Sequence, residues 1–175
     1  IYEVTPGATR ELELAANFTV RKLVPQGKFP GVAFALTHEL RRRPVDVLHA
    51  SFVPPVIIPR KLVVTMTCWS QFAEPEVYPP LIRWRLQFLL NRGTPRAAAV
   101  FCYTEYLKQK VMERFGLPDE RVFVTRPGLG PEIRRCEDPV ALRAFLDQFG
   151  INRPYILFIG SLTRRKNVPR LLEAF

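Results

Sequence analysis

Five short apolar runs, centred near Val45, Leu62, Val100, Val122 and Ile156, constrain this chain more than anything else in it. A run of four to eight apolar, β-branched or aromatic residues suits a strand that meets protein on both of its faces. Between most of these runs the apolar residues recur at helical spacing instead. Strands alternating with amphipathic helices call for a mainly parallel sheet with helices on both faces. The expected fold class is therefore α/β.

Residues 1–16 are polar and poorly patterned, and read as a loop. Phe18 to Val24 alternates as a strand that Pro25 stops. Gly31 to Arg43 fits a helix with Val32, Leu36 and Leu40 on one stripe. Its Arg41-Arg42-Arg43 run complements the helix dipole as a solvated helix end. Pro44 resets the chain for a short strand from Val45 to Ala50, and Lys61 to Met66 forms another.

Leu81 to Asn91 is a helix with two apolar faces. Ile82, Leu86, Leu89 and Leu90 form a core stripe, while Leu81, Trp84 and Phe88 form a second patch bordered by Arg85 and Arg92. That patch either packs on a neighbouring loop or makes a peripheral membrane contact, since apolar wedges beside arginines suit an anionic bilayer. Ala97 to Tyr103 is a strand, Thr104 caps a helix from Glu105 to Phe115, and Gly116 ends that helix. Arg121 to Thr125 returns as a strand. Pro139 to Phe149 is a helix with Leu142, Phe145, Leu146 and Phe149 along one side.

Tyr155 to Ile159 is the last strand expected, and Gly160 ends it. Asn167 reads as the N-cap of a helix whose Leu171, Leu172 and Phe175 keep the helical spacing. A strand, a glycine turn and a helix start, with Arg165 and Lys166 in the turn, make an arrangement that favours an anion.

Charge points the same way. The chain has 26 Lys and Arg against 16 Asp and Glu, a net +10. Such a surface attracts nucleotide diphosphates, phospholipid headgroups or nucleic acid. No aromatic-and-basic motif of the RNA-binding kind and no zinc-finger spacing is present, so no specific nucleic-acid partner is expected. Cys68, Cys102 and Cys136 contain no Cys-x-x-Cys pair and read as free thiols of a reducing compartment. No apolar run approaches the roughly 18 residues of a transmembrane helix. Because the chain opens on Ile1 and stops within a helical pattern, it is expected to be an internal piece of a longer polypeptide.

The wording of several segments is more specific than their pattern. Gly160-Ser-Leu-Thr-Arg-Arg-Lys-Asn, followed by Leu-Leu-Glu-Ala-Phe175, resembles the G-x-L-x-P-R-K-N-L and L-I-x-A-F of family 4 glycosyltransferases, which have the GT-B fold. Asp46-Val-Leu-His49 resembles that family's D-V-x-H segment, and Glu74-Pro-Glu-Val-Tyr-Pro-Pro80 its proline-rich loop. Ala98 to Lys108 and Phe115 to Thr125 resemble its A-x-x-V-x-x-x-S-E and G-x-P-x-x-K-V-x-V blocks.

The resemblance implies a GT-B arrangement: an acceptor-side Rossmann-like domain over residues 1–126, a linker over 127–137, and the start of a nucleotide-sugar donor domain over 138–175. It implies a hexosyltransferase of the kind used in polysaccharide biosynthesis. Such an enzyme moves a sugar, with retention, from a nucleotide-diphosphate-sugar to a glycan, a polysaccharide precursor or a lipid-linked acceptor. No metal and no other cofactor is implied. The free thiols point to a cytoplasmic setting, at the inner face of the cell membrane if the Trp84-Phe88 patch makes the membrane contact. Gly160, Ser161, Arg165 and Lys166 are the diphosphate-binding residues, with Gly128 in the linker beside the cleft. His49 is either delivered to the cleft or is a buried, hydrogen-bonded histidine.

The chain departs from the family at defined positions. Thr67-Cys68 stands where His-Asp is usual, and Pro127-Gly-Leu-Gly130 stands for Asn-Gly-Val-Asp. Arg164 replaces a proline, and Ser161 stands where many members have arginine. Threonine does not transfer protons near neutral pH as imidazole does. The family's paired nucleotide-contacting glutamates fall beyond Phe175, so the chain alone is not expected to turn over. A catalytically inactive scaffold of the same fold is the alternative, and a basic nucleic-acid-binding module the rival from another class.

Overall fold

Four of the five apolar runs pair as expected. The computed structural model describes residues 1–3, 15–24, 35–59, 61–130 and 133–175, and divides into two compact units, Ile1–Arg126 and Pro127–Phe175. In the first unit, β3 (Leu48–Ser51), β4 (Leu62–Met66), β5 (Ala99–Cys102) and β6 (Val122–Val124) form a parallel sheet in the order β3-β4-β5-β6. Two further strands, β1 (Tyr2–Glu3) and β2 (Arg21–Lys22), pair parallel in a separate ladder with Tyr2 opposite Arg21. The polar opening segment thus contains a strand, and the alternation from Phe18 yields only two paired residues.

Register explains which face is core. Val64, Val100 and Val122 stand side by side on adjacent strands, as do Thr65, Phe101 and Phe123. The first row is fully buried, together with Leu62, Met66 and Cys102. Each fully buried apolar side chain of this size contributes about 1.5–3 kcal/mol.

The helices that cover this face carry the matching stripe. α3 (Pro80–Gly93) buries Leu86, Leu89 and Leu90, and α4 (Glu105–Phe115) buries Leu107 and Val111. α3 extends beyond both predicted ends, and Ile82 is exposed rather than part of its core stripe. At α4 the sequence signals hold. Thr104 Oγ1 accepts a hydrogen bond from the Leu107 amide at 3.1 Å, and Gly116 closes the helix at φ 61°. Lys108 Nζ lies 2.6 Å from Asp119 Oδ1, tying α4 to the turn that feeds β6.

Before the sheet lies α1 (Leu36–Arg42), with Leu36 buried and Arg41 and Arg42 in its last turn. The part of the predicted helix from Gly31 to Phe34, Val32 included, lies outside the described residues. β3 begins at Leu48, three residues later than the apolar run. A short helix, α2 (Ser70–Ala73), follows β4. Among the described residues, no helix is long and apolar enough to cross a membrane.

The second unit departs most from expectation. It holds α5 (Pro139–Gln148), capped by Asp138 Oδ1 on the Val140 and Ala141 amides at 2.9 and 3.2 Å, and α6 (Val168–Ala174). Leu142, Phe145 and Phe149 of the predicted apolar side are exposed. Tyr155–Ile159 forms no strand, and its side chains are exposed. A strand exists only where a neighbour takes its backbone bonds, and this unit offers none among its described residues.

Asn167 stands at the N-cap position of α6, as the sequence suggests, but caps nothing with its side chain. It sits in the left-handed region at φ 50°, and its amide closes the preceding turn on the Arg164 carbonyl at 3.1 Å. Its left-handed backbone is not the extended one from which an N-cap side chain usually reaches the first helical amides.

Candidate functional site

In parallel sheets, loops at the carboxyl ends of the strands carry the chemistry. Here those ends are Ser51, Met66, Cys102 and Val124, so Phe52, Thr67, Tyr103 and Thr125 begin the loops. Phe52 is a bulky residue at φ 75°, held there by its amide bonding the Thr65 carbonyl at 2.8 Å. Such backbone persists only where the surroundings fix it.

His49 is neither at a strand end nor buried. It lies within β3, exposed, with Nε2 2.6 Å from Thr65 Oγ1 and its ring edge-on to Phe101 at 6.2 Å. Period-two alternation sets this: His49, Thr65, Phe101 and Phe123 share the sheet face opposite the valine core. A cavity of about 810 Å³ borders β3 here, lined by Tyr2, Phe18, Arg21, Leu48, His49 and Ser51 among others. Histidine is thus paired with Thr65, not with the Thr67 singled out in the sequence.

Thr67 is half-buried just beyond β4. The segment after it forms a polar network that no sequence signal announced. Gln71 is fully buried, and its Nε2 donates to the Cys68 carbonyl at 3.5 Å. Gln87 of α3 donates to the Gln71 carbonyl at 2.9 Å, and Ser70 Oγ lies 2.6 Å from Tyr78 Oη. The network clamps the carboxyl end of β4 to α3, so Thr67 and Cys68 occupy a fixed turn. A single glutamine in Trp-Ser-Gln-Phe looks like any surface glutamine until the fold closes over it.

Cys102, fully buried at the end of β5, behaves differently from the exposed Cys136. Burial pushes its thiol up to about 11 from 9.0, opposed in part by the charge of Lys108. The folded state therefore holds this proton more tightly than the unfolded chain. That stability is fully present below about pH 9 and is lost as pH rises towards about 11. Urea melts of the wild type should weaken across that window more than melts of Cys102→Val, and equal slopes would refute the assignment. Thiol labelling under native conditions should reach Cys136 and spare Cys102.

The remaining predicted residues lie in the second unit. Gly128 is exposed, with open space where a side chain would stand. Gly160, Ser161, Arg165 and Lys166 are also exposed. Arg165 and Lys166 belong to a single 3-10 turn, Arg164–Lys166, that follows Thr163. Among the described residues neither cation makes an ion pair. The turn thus gathers three adjacent positive side chains in water beside Gly160, where a Cβ would meet the Phe158 ring at 3.1 Å. What this arrangement offers chemically is unneutralised positive charge.

Comparison with known families decides the relationship. The model of Glycosyltransferase Family 4 matches residues 4–132, most of the chain. The chain belongs to glycosyltransferase family 4. No curated protein matches it. The family match spans nearly all of the first unit, with its mixed α/β architecture and four-stranded parallel sheet. His49, Thr67 and Gly128 fall inside the matched family region, while Gly160 to Lys166 lie beyond it. Thr67-Cys68 and Leu129-Gly130 also lie within the matched region.

Proposed function

We propose that the chain is part of a retaining hexosyltransferase that takes a sugar from a nucleotide-diphosphate-sugar. Its first unit serves the acceptor side, residues 127–137 form the linker, and residues 138–175 begin the donor side. The observation that carries this reading is the family match over residues 4–132. The acceptor is a glycan, a polysaccharide precursor or a lipid-linked sugar, and the setting is the cytoplasm, where the free thiols remain reduced.

In this reading the turn after Gly160 meets the leaving group. As the glycosidic bond breaks, negative charge grows on the diphosphate. Fixed cations placed where charge develops lower the barrier without needing to reorganise. Arg165 and Lys166 supply those cations and Ser161 a hydroxyl donor, while Gly160 lets the backbone approach. No metal is required, because the side chains neutralise the diphosphate themselves. At the sheet, Thr67 takes no proton near neutral pH, so His49 is the imidazole available on the strands.

The test is transfer itself. A polypeptide carrying this chain, given nucleotide-sugars and candidate acceptors, should release nucleoside diphosphate and form a product with the donor's anomeric configuration. An inverted product would overturn the retaining mechanism. Thr67-Cys68 and Leu129-Gly130 favour a second reading, an inactive scaffold. That reading gains if nucleotide-sugar binds but no diphosphate is ever released.

A further inference from the structure

We propose that the outer face of α3 is a docking surface for an anionic lipid bilayer. Leu81, Trp84 and Phe88 stand on one side of the helix, exposed by 76%, 63% and 46%. The two rings stack with centroids 5.6 Å apart and planes 14° from parallel, so they present one aromatic slab. The core does not need them, because Leu86, Leu89 and Leu90 already fill the opposite side of the helix. An exposed apolar cluster on a helix whose core face is satisfied marks a surface for something else to cover.

The surroundings identify what covers it. Trp84 and Phe88 share a shallow cavity of about 430 Å³ with Gln87, Asn91, Arg92 and Arg96. Arg92 Nε donates to the Val56 carbonyl at 3.2 Å, and Arg96 Nη1 to the Arg92 carbonyl at 2.6 Å. Each guanidinium is held beside the rings by one bond and keeps further donors for another ligand. Between Glu76 and Glu105 the chain has no acidic residue, and Arg92 and Arg96 line the cavity beside the two rings. This stretch therefore brings positive charge to the slab and no carboxylate.

Apolar rings rimmed by arginines match the boundary of an anionic membrane. The rings enter at the level of the headgroups and upper acyl chains, and the guanidinium groups bind lipid phosphates. A second copy of the chain fits poorly. A two-fold contact places the same patch against itself, bringing these arginines together with no carboxylate between them. The surface belongs to α3 and is independent of the glycosyl-transfer reading.

The protein should float with vesicles of phosphatidylcholine mixed with phosphatidylglycerol, and not with phosphatidylcholine alone. Replacing Trp84→Ser and Phe88→Ser together should lower that partition by about tenfold or more while leaving the melting temperature in place. Equal partition of wild type and variant would reduce the effect to bulk charge and overturn the proposal. So would failure to float at all, or a lipid-free dimer that the same two substitutions abolish. Loss of sugar transfer in solution with intact flotation would count against the proposed activity and leave the docking surface standing.

Discussion

Lys166→Ala is expected to lower sugar transfer about 100-fold in an active polypeptide carrying this chain, while Arg164→Ala leaves it nearly unchanged. Lys166 is exposed and ends the 3-10 turn Arg164–Lys166; its backbone amide, not its side chain, makes the bond to Thr163, at 2.9 Å. Removing the side chain therefore costs no packing and leaves the turn intact. If the ammonium touches the departing diphosphate, its loss raises the barrier at the moment charge develops. Turnover then falls more than the apparent affinity for the donor. If the ammonium only faces water, the change is worth roughly 0–1 kcal/mol and the rate hardly moves. Arg164 is the right control, because it shares the turn and the charge but, by the resemblance to the G-x-L-x-P-R-K-N motif, is not a diphosphate-contacting position. Equal, small losses for both variants would show that this turn is not the diphosphate site.

The four strands of the first unit could be read in advance because burial on both sides leaves a simple mark, a run without polar interruptions. Tyr155–Ile159 carries the same mark and forms no strand. An apolar run states what a segment will tolerate, not which neighbour will supply its hydrogen bonds. The caps show the same division. Thr104 and Gly116 act as their residue types suggest, since each has the backbone its role needs. Asn167 has the right side chain in the wrong conformation: the left-handed region, which asparagine tolerates better than most residues.

The candidate site was less accessible for a related reason. Alternation along β3 tells which residues share a face with His49, but not what lies across from it. Only the register places Thr65, two residues short of the predicted Thr67, within hydrogen-bond reach. Gln71 was hidden more completely. A buried polar side chain is recognised by its partners. Here the side chain bonds the Cys68 carbonyl of its own turn, while Gln87 of α3 bonds the Gln71 backbone carbonyl.

Gly93→Ala is expected to destabilise the first unit by about 1–3 kcal/mol, although it replaces the second-worst helix former with the best. Gly93 is the last residue of α3 and is buried. A Cβ there would stand 2.6 Å from Cγ of Pro54, which is itself almost fully buried in the loop after β3. Carbon atoms in contact prefer about 3.5–4.0 Å. Because the proline ring is closed it cannot rotate away, so the helix end and the loop must separate. That movement would pull α3 from the strand end where Phe52 is held. Ordinary helix propensity predicts the opposite sign, a gain of about 0.8–1.0 kcal/mol. Urea melts thus decide between close approach and propensity by direction alone. Pairing the change with Pro54→Ala sharpens the test. Removing the ring atoms should recover part of the loss, giving a coupling of about 0.5–3 kcal/mol in a double-mutant cycle. Were Gly93→Ala to stabilise the protein in both backgrounds, the Pro54 loop could not be packed closely against the end of α3.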